Sequence, residues 1–114
     1  MIKNICKILF RSLDIEESRF TEINIAHSGN RLEISDENTP AGKIYNYKLS
    51  VPLQEKAFYR YDGLQFDVVC SDRTHILIGN DNFPAFLHTE EDLDGAEISV
   101  EWKDIFSPKF MPVS

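Results

Sequence analysis

I-Y-N-Y-K-L-S-V-P (44–52), L-Q-F-D-V-V-C (64–70), S-D-R-T (71–74) and H-I-L-I-G (75–79) are the segments on which the fold turns. In the first, Tyr45, Tyr47, Leu49 and Val51 alternate with Asn46, Lys48 and Ser50, the period of a strand with one buried face. Pro52 closes it, because a proline has no N–H to give to a ladder. In the second, Leu64, Phe66, Val68 and Cys70 alternate with Gln65 and Asp67. The chain then returns through Ile76 and Ile78. A three-residue loop sets Val68 opposite Ile76 and Phe66 opposite Ile78, apolar face on apolar face. A two-residue loop would set Asp67 against Ile78, so the first register is expected, although the turn lacks the glycine such loops often use.

Further out, residues 20–27 and 31–35 also alternate, with Ile23 and Ile25 matched by Leu32 and Ile34 across H-S-G-N. This predicts a second hairpin. D-E-N-T-P-A-G (36–42) reads as a loop. At the C-terminal side, residues 83–87 read as a short edge strand entered through Pro84, and T-E-E-D-L-D-G (89–95) as an acidic connector. Ile98, Val100 and Trp102 then mark a last strand. The first 19 residues allow strand or helix: Ile5 to Phe10 is apolar apart from Lys7, and residues 11–19 suit a helical turn or a loop. Residues 54–62 suit a short helix or an irregular crossover, with Phe58, Tyr59 and Tyr61 over the mouth of the sheet. Seven or eight short strands at close spacing define a mostly β chain. The expected fold is a single domain over 1–114, an antiparallel β-sandwich or partly open β-barrel with at most one or two short helices.

A length of 114 residues is one domain and enough for a core without staples. The formal net charge of −7 is unevenly spread. Residues 1–57 carry eight Lys/Arg against eight Asp/Glu, and residues 58–114 carry four against eleven. That excess argues against nucleic-acid binding, which needs clustered cations. Cys6 and Cys70 make neither a disulfide framework nor a C-x-x-C site, and Cys70 falls in phase with the buried face of its strand. Lys7 interrupts the apolar N-terminal run and no small-residue cleavage site follows, so no signal peptide is expected. No segment reaches the length of a membrane span. A reducing, cytoplasmic setting is expected.

Glu90, Asp92, Asp94, Gly95 and Glu101 fall on the ligand spacing of a calcium loop. Against it, Glu stands where Asp is usual at the first position, charged Glu97 occupies the hydrophobic position, and a strand follows where a helix should. An acidic hairpin connector is the expected reading. His27, His75 and His88 show no ligand spacing. Nineteen acidic residues make some carboxylate pair inevitable, and none is accompanied by a nucleophile motif. No cofactor and no catalytic residue is expected. Tyr45 and Tyr47 are in phase with Leu49 and Val51, which favours core packing over a stacking platform. The tail, with Pro108 and Pro112 among Ile105, Phe106, Phe110 and Met111, is too apolar to be solvated throughout. Residues 104–114 are expected to be a docking arm, with those three as interface candidates.

Thr39-Pro40-Ala41-Gly42-Lys43-Ile44-Tyr45, Val51-Pro52, Ile78-Gly79 and Phe83-Pro84 together resemble a family of small β-rich proteins encoded among the virion-assembly genes of prophages in gut bacteria. The resemblance implies a structural protein of the tail or head–tail region, located in the virion. It implies self-assembly through sheet edges and the C-terminal arm, as a homo-oligomer or with other virion proteins. It carries over no functional residue. Two other readings stand beside it: an acidic protein-binding module of inhibitor or immunity type, and a calcium- or carbohydrate-binding β domain.

Overall fold

The computed structural model describes residues 1–16, 18–54, 58–93 and 95–113. Among them the secondary structure is entirely strand: β1 (Ile2–Ser12), β2 (Thr21–Glu22), β3 (Arg31–Thr39), β4 (Gly42–Pro52), β5 (Leu64–Cys70), β6 (Thr74–Ile78), β7 (Leu87–Asp92), β8 (Gly95–Asp104) and β9 (Met111–Pro112). They form one antiparallel sheet in the order β7-β8-β4-β3-β1-β5-β6-β9, with β2 on β1. The sheet does not close into a barrel; it folds over itself as a sandwich.

β1 makes that fold possible. Its first residues, Ile2, Lys3 and Asn4, pair with β3. From Ile5 to Ser12 it pairs with β5 instead, and a bulge between Ile5 and Lys7 shifts the register. Such a bulge adds one unpaired residue and bends the strand. Here the extra residue is Cys6, which is exposed. Ile5 and Ile8 consequently both face inward although they are three apart, and β1 passes from one layer to the other.

Between the layers lies one apolar cluster. Leu32, Leu49, Val51, Ile98 and Val100 come from one side, and Ile8, Leu64, Phe66, Val68 and Ile78 from the other. Burial of this kind contributes roughly 1.5–3 kcal/mol for each large side chain. The β5–β6 hairpin has the expected register, Val68 with Ile76 and Phe66 with Ile78. Arg73 takes the left-handed position at φ 67 that a glycine would usually fill.

Several expectations are corrected. Residues 20–27 do not pair with β3. Thr21 and Glu22 lie on β1, Ile23 donates its N–H to the Ile8 carbonyl at 3.0 Å, and Ile25 bridges Leu53. Ile23 is buried without a hairpin because the segment crosses between layers, tied by Asn30 Nδ2 donating to the Ala26 carbonyl. Of the stretch 36–42 only Pro40 and Ala41 form a turn: β3 and β4 pair as far as Thr39 with Gly42. That end of the hairpin projects beyond the core, so its polar side chains are compatible with strand. Its ladder is braced by an Asp36–Lys43 ion pair at 3.2 Å. β7 begins at Leu87 and takes in residues expected to be connector, while Pro84 stays in the preceding loop. Residues 11–16 and 58–62 carry no helix; residues 17 and 55–57, within the two helix candidates, lie outside the described residues.

Candidate functional site

Strand alternation gives the layer β7-β8-β4-β3 an outer face made of what the core does not take. Across it the ladder places Ile2 opposite Glu33, Glu33 opposite Lys48, and Lys48 opposite Glu101. One step along lie Ser35, Asn46 and Lys103. Opposite partners of this kind have Cβ atoms about 4.5–5.5 Å apart. The face is therefore a polar floor carrying both signs of charge.

The loop from Gly79 to Phe86 supplies a wall. Gly79, at φ +92, turns the chain away from β6. Ala85 then exchanges backbone hydrogen bonds with Leu64 at 2.8 and 2.9 Å. The Trp102 indole N–H donates to the Phe83 carbonyl at 2.8 Å, fixing the loop against β8. So anchored, the loop leaves Phe83 and Phe86 standing 57% and 58% exposed. Met1 and Ile2, equally exposed, flank the opposite side. The depression between these walls has a volume of ≈ 1040 Å³.

It does not end there. A second depression of ≈ 520 Å³ shares Lys48, Phe86 and Glu101 with the first and runs past His88 and Ser99 to Glu90 and Glu97. A third, at the tip of the β7–β8 hairpin, shares Glu90 and Glu97 and adds Asp92. The three join along β8 from Lys103 to Gly95, about 27 Å at the usual rise of a strand. The trough is apolar-walled at one end and acidic at the other. On its floor Asn46 Nδ2 donates to Glu37 at 3.4 Å, while Asn46 Oδ1 is buried without a hydrogen-bond partner among the described residues.

The sequence-derived candidates are distributed differently. Glu90 stands opposite Glu97, and Asp92 opposite Gly95, whose N–H donates to Asp92 Oδ1 at 3.0 Å. Asp94 lies outside the described residues. Glu101 is on β8 opposite Lys48, six residues past Gly95, about 20 Å along a strand. Glu101 is thus held away from the hairpin tip, and no group of three metal-ligating side chains converges among the described residues. Phe110 packs on the core with the Lys3 ammonium 3.9 Å from its ring centroid, and Met111 pairs with His75 in β9. Phe106 alone of the three interface candidates is fully presented, at 71% exposure.

Two other polar groupings are ties within the fold. Ser12 Oγ donates to Asp62 at 2.6 Å, and Arg60 binds both oxygens of the same carboxylate at 2.9 and 2.7 Å. Arg60, and after it Ser12, hold the Asp62 carboxyl well below the usual carboxylate range, which makes it a poor base. The serine itself is buried. His75 Nδ1 lies 2.9 Å from Asp67, on the outer face of the other layer. The loop aromatics Phe83 and Phe86 are the part of the trough that sequence reading missed. The usable signal was phase: Phe86 is out of step with inward-facing Leu87.

Comparison with protein-family models, curated sequences and solved structures returns no match. Among the described residues no helix is long and apolar enough to cross a membrane.

Proposed function

We propose that this chain is a non-enzymatic structural domain that works by contact with another protein, and that the outer trough of the β7-β8-β4-β3 layer is its contact surface. The observation that carries the reading is the anchored loop. Two aromatic side chains are held exposed by a backbone fixed through Ala85 and Trp102, beside a long open trough. Exposed aromatic anchors above a polar floor suit a protein interface, where a few aromatic residues supply most of the binding energy. An open trough of this length is wide for a small substrate, which is usually enclosed on most sides. The resemblance to prophage virion-assembly proteins points to the same class of work.

Self-assembly through sheet edges and the arm remains the second reading, favoured by the exposed side chains of Ile105 and Phe106 within the arm. Its difficulty is at the edges themselves. β9 pairs with the Thr74–His75 end of β6, and β7 carries Glu90, Glu91 and Asp92. Charged edge strands oppose edge-to-edge pairing.

Native mass spectrometry of the chain isolated from the cells that produce it tests the contact reading. A discrete complex of fixed protein stoichiometry is expected. A chain that emerges only as free monomer, however gently it is isolated, would sink the proposal.

A further inference from the structure

The trough's two ends differ in chemistry, and that difference specifies an occupant. Its lining carries four glutamates, Glu33, Glu90, Glu97 and Glu101, against Lys48 and Lys103. Asp92 extends the acidic end to the hairpin tip. Lys103 is already drawn toward Glu37 at 3.8 Å. At the other end Phe83 and Phe86 face Ile2 across the polar floor. We infer that the trough binds a segment of a different protein that bears lysine or arginine side chains interleaved with apolar ones, its cations toward Glu97 and Glu101 and its apolar side chains against Phe83 and Phe86. The inference rests on the contact reading above and names the partner's chemistry.

A second copy of this chain fits poorly. In a face-to-face dimer the two-fold axis lies in the face. Passed through Lys48 along the strands, it stacks Lys48 on Lys48 and Glu33 on Glu101; passed across the strands, it stacks each residue of the row on itself. Like charges meet in both arrangements. An axis midway between β4 and β8 sets Lys48 on Glu101 instead. Any face-to-face pairing still brings four glutamates and only two lysines against the same acidic excess, which disfavours self-packing. A basic segment meets the opposite sign, and approaching cations are steered by the −7 net charge of the whole chain.

Trp102 provides the readout, because it is the single tryptophan and bonds directly to the Phe83 carbonyl. The probe is a ten-residue peptide alternating leucine and lysine, titrated while Trp102 emission is followed. Saturable binding is expected, weakened about tenfold or more by Phe86→Ser and by the double change Glu97→Lys, Glu101→Lys. Glu16→Lys, an exposed acidic residue outside the trough, is expected to leave binding within about twofold. Peptides with glutamate for lysine, or serine for leucine, are expected not to bind. Thermal melts of each variant without peptide separate lost binding from lost folding. Equal weakening by Glu16→Lys would overturn the inference, as it would mean charge attraction without a site. Unchanged binding by a folded Phe86→Ser variant would also overturn it. A native complex that survives Phe86→Ser would remove the trough as the contact surface and leave the contact reading standing. A homodimer that Phe86→Ser dissociates would assign the trough to a second copy instead.

Discussion

Asp62 shows how much of this fold depends on one exposed-looking loop residue. It joins Ser12, at the end of β1, to Arg60, whose guanidinium also lies over the Phe10 ring at 5.4 Å. Charge-assisted bonds of this sort are worth more than neutral ones, and losing them leaves buried Ser12 with an inferior partner. Asp62→Asn is expected to cost about 1–2 kcal/mol at neutral pH, read by urea denaturation. The pH dependence has a definite sign. The folded carboxyl titrates below its unfolded counterpart, so the stabilisation is complete above about pH 4 and fades as the pH falls through the folded value. The gap between native chain and variant should therefore narrow below about pH 4; a gap that stays constant to pH 2 would contradict the assignment. Tyr47 gives the alkaline counterpart. Burial, and after it the Asp104 and Tyr45 charges, push its phenol up to about 12. Above about pH 10 the unfolded phenol ionises first, so stability should fall from there to about 12. Tyr47→Phe, followed by alkaline denaturation, should flatten that decline.

At the scale of the element, Gly79 is the turn on which the loop to Phe86 is built. At φ +92 an added side chain is strained, and a Cβ there would collide with the Leu64 carbonyl oxygen, a backbone atom unable to yield. Gly79→Ala is expected to destabilise by about 2 kcal/mol or more, as a loss of melting temperature, and to disturb Trp102 emission. Unperturbed emission at reduced stability would mean that the loop is not set by this turn. The resemblance identified Gly79 and Pro84 as punctuation, but the punctuation does not say where the loop goes. The β5–β6 register was legible because both partners bury an alternating face, and a slip would have exposed it. The β3–β4 extension was not, because residues 36–39 stand outside the core, where polar side chains carry no phase. β1 was ambiguous for a different reason. The Cys6 bulge puts Ile5 and Ile8 on one face at a spacing of three, which copies helical periodicity inside a strand. The 20–34 hairpin failed because Ile23 and Ile25 have the phase of a strand but are used as plugs between layers.

For the whole molecule, the two edges of the sheet differ in how they meet solvent. The β7 edge is charged, with the Tyr59 hydroxyl donating to Glu91 at 2.8 Å and the Thr89 hydroxyl bonded to the Phe58 carbonyl. The β6 edge has no comparable charge, and the arm pairs with its first two residues. There Thr74 and His75 pair with Pro112 and Met111, the Val113 N–H donates to the Arg73 carbonyl at 3.0 Å, and Phe110 is clamped under Lys3. An uncovered edge with Leu77 and Ile76 beside it would be a template for another strand. A chain ending at Asp104 is accordingly expected to lose about 2–4 kcal/mol of stability, from the burial of Phe110 and Met111 and the lost ladder. It should also associate more than the full chain, seen as a rise in weight-average mass by sedimentation at matched concentration. Phe106→Ser supplies the contrast. That side chain lies off the ladder and largely in solvent, so stability should stay within about 0.5 kcal/mol. If the truncated chain melts with the full one and sediments as it does, the arm is not the cover of that end of β6, and the exposed Ile105 and Phe106 become the part of the tail with work to do.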